Sequence, residues 1–91
     1  MKQKKRTRKI KENEAAVAEL PTSFESPESS TIASASYDPL RLELTITFHY
    51  RQRPYLYGGI SGDLWAGFVM ASSKGKYFSD MIRPLYLGRP L

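Results

Sequence analysis

Residues 40–50 alternate between apolar and polar side chains, and this pattern limits the possible folds more than any other stretch of the chain. The apolar positions are Leu40, Leu42, Leu44, Ile46, Phe48 and Tyr50, and the polar positions between them are Arg41, Glu43, Thr45, Thr47 and His49. Successive side chains of a β-strand point to opposite faces, so a period of two predicts a strand with one buried face. Other elements must then cover that apolar face.

Two shorter segments predict partner strands on either side of this one. Residues 32–37 read as a strand with Ala33, Ala35 and Tyr37 on one face, and the sequence Tyr37-Asp38-Pro39-Leu40 predicts a turn. After the break at residues 51–54, Tyr55-Leu56-Tyr57 predicts a third short strand that ends at Gly58-Gly59. The expected sheet is a three-stranded antiparallel meander.

The hydrophobic period then changes to that of a helix. Ser61 is a suitable N-cap for a helix to about Ser72, with an apolar stripe of Leu64, Trp65, Phe68, Val69 and Ala71. Ser73 is a suitable cap for a second helix, which Pro84 stops. Its expected apolar side is Tyr77, Phe78, Met81 and Ile82, opposite Lys76, Asp80 and Arg83. The predicted fold class is α+β, with two short helices packed on one face of the sheet.

The first thirty residues form a charge diblock rather than a folded element. Residues 2–11, called the basic arm below, contain seven cations and no acid, while residues 12–30 contain five glutamates and no cation. Such a segment buries too little apolar surface to offset chain entropy, which predicts a disordered tail over residues 1–30. A folding-back of the arm onto the glutamates, or a purely solubilising role, is the alternative to a binding arm.

Composition argues against several classes of protein. Ninety-one residues predict one domain, there is no cysteine, and His49 is the only histidine, so we expect neither a metal site nor a cofactor. No serine and acid are placed around His49 as a catalytic unit, and the phosphate-loop pattern is missing, because Tyr77 follows Gly75-Lys76. No apolar run is long enough to cross a bilayer. We therefore expect a cytoplasmic protein that is not an enzyme and has no membrane partner.

Several short motifs together resemble those of the KTSC domain. They are Ser-Thr-Ile-Ala-Ser at 30–34, Tyr37-Asp38-Pro39, Tyr55-Leu56-Tyr57, Ser73-Lys74-Gly75-Lys76-Tyr77-Phe78, and Ile82-Arg83 ending near Tyr86. The resemblance covers about residues 30–86, and residues 50–54 depart from it by being more basic. It implies a domain over residues 31–91 like those at the C-terminus of some lysyl-tRNA synthetases or in free-standing small bacterial proteins. RNA binding has been suggested for that family.

Three groups of residues are candidates for binding RNA or another single-stranded nucleic acid. The first two are the basic arm and the start of the second helix, which supply cations for phosphates together with the link between strands two and three. The third is the open polar face of the sheet, where two tyrosines would offer rings to unpaired bases if they lie on that face. The candidates are Lys4, Lys5, Arg6, Arg8, Lys9, Arg51, Arg53, Tyr55, Tyr57, Lys74, Lys76 and Arg83. Burial of the tyrosines in the core and simple helix capping near Lys74 are the competing interpretations. The alternative function is a protein-binding adaptor that docks on a larger enzyme or assembly.

Overall fold

A computed structural model describes residues 20–91 of the chain. These residues form one antiparallel sheet in the order β1-β2-β3-β4-β5, with every strand paired to its neighbour in sequence. The strands are β1 (Ser23–Glu25), β2 (Ile32–Asp38), β3 (Glu43–Phe48), β4 (Tyr55–Gly58) and β5 (Gly88–Pro90). The α+β class is confirmed. The predicted three-stranded meander is β2-β3-β4, to which the structure adds a short strand at each edge.

The predicted boundary between tail and domain at residues 30 and 31 is wrong, because strand β1 already belongs to the sheet. Its Phe24 ring stacks on Trp65 at 5.6 Å between centroids and meets the edge of Phe68 at 5.1 Å. The Trp65 indole also donates a hydrogen bond of 2.9 Å to the Pro21 carbonyl. One aromatic side chain thus ties an otherwise polar segment to the core, which composition alone does not reveal. The rest of the predicted disordered tail, residues 1–19, lies outside the described residues.

The core lies between one face of the sheet and the helices. Leu44, Ile46 and Phe48 of β3 are buried, as their alternation predicts, and they lie beside Ile32, Ala35 and Tyr37 of β2. A register shift between Ile32 and Ser34 removes Ala33 from the inner row. The alternation overestimates the length of β3, because Leu40, Leu42 and Tyr50 lie in the connections and are exposed. Leu42 takes a φ of 58°, which a continuous strand does not allow.

Two helical segments cover the apolar face. Helix α1 (Gly62–Met70) begins at Ser61, whose hydroxyl accepts a 3.1 Å hydrogen bond from the Leu64 amide. Helix α2 (Lys74–Tyr77) begins at Ser73 in the same way and continues as a π-helical turn (Phe78–Ile82). Both predicted caps are confirmed. The buried side chains are Trp65, Phe68, Phe78 and Ile82.

Gly67 allows the two helical segments to approach each other. A Cβ at this position would collide with the Tyr77 ring, whose hydroxyl donates a 3.0 Å hydrogen bond to the Leu64 carbonyl. The helix-propensity cost of this glycine is therefore offset by a close contact between α1 and α2.

Candidate nucleic-acid interface

Two arginines and three tyrosines surround a small recess at the end of the sheet where β3 passes into β4. The recess has a volume of about 140 Å³ and is lined by Phe48, Tyr50, Arg51, Tyr55, Tyr57, Phe78 and Arg83. We call it the tyrosine–arginine pocket. Four of the predicted binding residues, Arg51, Tyr55, Tyr57 and Arg83, meet here although 32 positions separate the first from the last.

Packed rings form the apolar part of the pocket. Phe48 meets Tyr55 and Phe78 edge-on, with centroids 5.7 Å and 5.4 Å apart, and Phe78 meets Tyr57 at 5.5 Å. The alternation of β3 places Phe48 on the inner face, and the pairing of Ile46 with Tyr55 places Tyr55 on the same face. The sheet register therefore holds these rings in fixed positions.

The two arginines approach the pocket from different elements. The Arg51 guanidinium lies 5.8 Å from the Tyr50 ring centroid and 5.6 Å from that of Tyr55, and its Nη1 donates to the Tyr55 hydroxyl at 3.3 Å. Arg83 follows the π-helical turn, and its backbone amide donates to the Phe78 carbonyl at 2.9 Å. A cation over an aromatic face is attracted by the ring and remains able to bind an anion on its other side.

Charge in the pocket is positive. Within residues 20–91 the ion pairs are Arg41 with Asp38, at 3.9 Å, and Lys76 with Asp80, at 2.8 Å, both outside the pocket. Burial raises the pKa of the Tyr57 hydroxyl above its usual value, and Tyr55 adds to this effect, whereas Arg83 and Arg51 oppose it. The Tyr57 hydroxyl is therefore neutral at physiological pH.

At the start of α2, Lys74 makes contacts that the sequence does not predict. Its ammonium donates to the carbonyls of Val69, at 3.0 Å, and Ala71, at 2.6 Å, and lies 5.1 Å from the Phe24 ring centroid. These contacts, called the lysine joint below, satisfy carbonyls at the C-terminal end of α1. Two of the three N–H groups of the Lys74 ammonium are therefore used within the fold.

The other groups near α2 also have partners. Lys76 is exposed, but its ammonium pairs with Asp80, and this hydrogen bond raises the pKa of Lys76. A polar cleft of about 400 Å³ separates residues 26–31 from residues 72–76. Its Ser73 hydroxyl accepts from the Lys76 amide, and its Ser29 hydroxyl accepts from the amides of Thr31 and Ile32. The capping interpretation explains this region.

The tyrosines do not form a stacking platform on the polar face of the sheet. Tyr57 is 6% exposed and lies on the core face, and Tyr55 is half-buried beside it. The cause is the β3–β4 register, which pairs Tyr57 with Leu44 and Tyr55 with Ile46. The core interpretation is correct for Tyr57, and an unpaired base cannot reach its ring.

Sequence reasoning missed Tyr50 as a surface residue. The alternation assigns it to the buried face, but β3 ends at Phe48, and Tyr50 is 65% exposed at the rim of the pocket. The signal was the adjoining Arg51-Gln52-Arg53-Pro54, which marks a loop. Of the remaining predicted residues, Arg53 donates to the Leu91 carbonyl, while Lys4, Lys5, Arg6, Arg8 and Lys9 lie outside the described residues.

The described part of the chain offers little for metal chemistry. No group of three His, Asp or Glu side chains within residues 20–91 is close enough to hold a metal ion. His49 is exposed, and its Nε2 lies 3.4 Å from the Ser26 carbonyl. Among the helices of this part, none is long and apolar enough to cross a membrane.

The architecture is that of a small α+β domain in which two helical segments cover one face of an antiparallel meander. The family model of the KTSC domain matches residues 28–86, so the chain belongs to the KTSC family. The crystal structure of the KTSC domain protein YPO2434 from Yersinia pestis is similar, with a TM-score of 0.67 and 33% sequence identity. The similarity covers 76% of this chain and 97% of that chain. No curated protein matches the sequence.

Proposed function

We propose that the protein is a non-enzymatic accessory module that binds RNA or another single-stranded nucleic acid. The observation that carries this proposal is the tyrosine–arginine pocket, in which two guanidinium groups and an exposed aromatic ring surround a recess without a carboxylate in its described lining. Arginine binds phosphate through parallel hydrogen bonds, and aromatic rings stack on unpaired bases. The groups for both kinds of contact line the same recess.

The distribution of charge supports different roles in binding for the basic arm and for the folded part. Residues 20–91 contain seven cations and six carboxylates, so the folded part is nearly neutral. The seven cations of the basic arm supply most of the net charge of +5. The arm provides long-range attraction to a polyanion, and the pocket provides contacts on the folded surface.

A salt titration tests this proposal on the full chain. Binding of a generic single-stranded RNA is measured by fluorescence anisotropy for the native protein and for a variant in which Lys4, Lys5, Arg6, Arg8 and Lys9 are all replaced by glutamine. Each lost phosphate contact reduces the slope of log affinity against log salt by about 0.7. We expect weaker binding and a shallower slope in the variant. A native protein that binds no RNA at low salt would contradict the proposal.

The protein-binding adaptor is the alternative. The exposed side chains of Met70, Leu85 and Leu87 favour it, because they offer apolar surface to a partner. Docking by strand addition has less support. Strand β1 has three residues between Pro21 and Pro27, β5 ends at Pro90, and short edges with prolines resist pairing. Failure of RNA binding, with intact folding, would leave the adaptor as the better candidate.

A further inference from the structure

We infer that the tyrosine–arginine pocket binds one nucleotide unit of an unpaired strand, with its phosphate between Arg51 and Arg83 and its base on the Tyr50 ring. This inference rests on the proposed function and names the part of the ligand that the folded domain recognises. It also predicts a preference for single-stranded over double-stranded nucleic acid.

The size of the recess favours a phosphate group inside it. Pockets that enclose drug-sized ligands have volumes of roughly 300–1,000 Å³, whereas this recess has about 140 Å³. A phosphate fits such a volume, but a base, a sugar and a phosphate together do not. The base must then lie at the rim.

The charged and polar groups around the recess match a phosphate. Arg51 and Arg83 provide two forked donors, and Tyr55 and Tyr57 line the same recess. Burial raises the pKa of the Tyr57 hydroxyl, so this residue adds no negative charge to the recess. Within residues 20–91, neither guanidinium has a carboxylate within ion-pair distance. A bound phosphate would therefore not have to displace a carboxylate of this part of the chain from either guanidinium group.

Tyr50 provides the surface for the base. Its ring is 65% exposed, its centroid lies 5.8 Å from that of Phe48, and Arg51 lies over it at 5.8 Å. The ring thus contacts the core through Phe48, and most of its surface is accessible to solvent. Bases in a duplex stack on one another, so only an unpaired base can use this ring.

The test uses the full chain with three probes: a single-stranded oligoribonucleotide, the same sequence in a blunt duplex, and uridine monophosphate. The pocket variants are Arg51→Gln, Arg83→Gln and Tyr50→Ser. Matched controls are Arg41→Gln, which removes an equal charge near Asp38, and Leu40→Ser, which removes an exposed apolar side chain from the β2–β3 turn. Urea unfolding midpoints show that each variant is folded.

We expect each arginine variant to weaken single-strand binding about tenfold, because hydrogen bonds between charged groups are lost. Tyr50→Ser should weaken it about fivefold or more through loss of one stacked base, while duplex binding stays the same. Both controls should stay within about twofold of the native protein. Chemical shifts induced by uridine monophosphate should be confined to residues 48–57 and 78–83, and be larger than those induced by inorganic phosphate.

Two results would overturn the inference and leave the proposed function intact. One is equal binding of single strands and duplexes, with pocket variants that behave like Arg41→Gln, because the basic arm would then account for all binding. The other is a response to inorganic phosphate that uridine monophosphate does not exceed, because the base would then make no contact. If no nucleic acid binds at all, the proposed function fails. If uridine monophosphate also causes no chemical-shift changes, the assignment of the pocket as a nucleotide site fails as well.

Discussion

The lysine joint and the tyrosine–arginine pocket contain similar residue types but use their cations differently. In the joint, the Lys74 ammonium donates to two backbone carbonyls and lies over Phe24. In the pocket, Arg51 and Arg83 lie beside tyrosines and have no carboxylate within ion-pair distance among residues 20–91. A cation beside aromatic rings in the fold is thus either a structural connection or a binding group. The carbonyls that it reaches decide between these roles.

The largest expected effect comes from removing the Lys74 ammonium. Lys74→Met keeps an unbranched side chain over Phe24 but removes two charge-assisted hydrogen bonds to the end of α1. We expect a loss of about 2 kcal/mol in the free energy of unfolding, measured by urea denaturation. RNA affinity of the folded protein should stay unchanged. Lys76→Met is the matched control and should cost clearly less, because Lys76 pairs with Asp80 at the surface.

If Lys74→Met weakens RNA binding and keeps the unfolding midpoint of the native protein, the comparison breaks down. Lys74 would then be a binding residue, as the sequence alone predicts.

A smaller loss of stability is expected from filling the space at Gly67. In Gly67→Ala, the new Cβ would lie 2.9 Å from Cζ of Tyr77 and closer still to its hydroxyl. Overpacking of this kind costs about 1–3 kcal/mol, reduced by up to about 1 kcal/mol of improved helix propensity. A double-mutant cycle with Tyr77→Phe checks the cause. Additive losses would show that the hydroxyl is not the obstacle.

The pocket arginines should contribute little to stability. Both side chains are at the surface, so Arg51→Gln and Arg83→Gln should each change the free energy of unfolding by no more than about 0.5 kcal/mol. The same urea titrations used for Lys74→Met measure this. A loss as large as that of Lys74→Met would assign the pocket a structural role.

The sequence predicts those parts of the fold that depend on local rules. Ser61 and Ser73 cap their helices because a serine hydroxyl accepts backbone amides wherever a helix begins. Leu44, Ile46 and Phe48 are buried because a strand alternates. Strands β1 and β5 escape prediction because each has only three residues and depends on distant contacts, such as Phe24 with Trp65 and Gly88 with Tyr57.

The candidate site is less predictable for the same physical reason. Arg51 and Arg83 meet only after the sheet register and the π-helical turn are both in place, and no spacing in the sequence indicates this. The exposure of Tyr50 depends on where β3 ends, which the regular alternation conceals. For Lys74, the length of the lysine side chain lets it reach back to α1, and the helix start alone does not indicate that contact.

The smallest expected effect concerns the titration of buried tyrosines. Burial raises the pKa of Tyr77, at the contact between α1 and α2, and of Tyr57 in the pocket above the ordinary value of about 10. Above that pH the unfolded chain loses these protons first, so the folded state holds more protons. The stability that these hydroxyls contribute is therefore complete below about pH 10 and decreases as the pH rises through their folded-state pKa values.

The two tyrosines should respond differently to Arg83→Gln. Arg83 lowers the pKa of Tyr57, whereas burial alone accounts for the raised pKa of Tyr77. Removing the guanidinium should therefore raise the pKa of Tyr57 further and leave that of Tyr77 unchanged, and the alkaline loss of stability should increase. Carbon-13 NMR of labelled tyrosine Cζ, followed through the alkaline titration, measures both values, with Arg41→Gln as the control. Equal changes in the two pKa values would mean that Arg83 acts by changing the packing, and not through its charge on Tyr57 in the pocket.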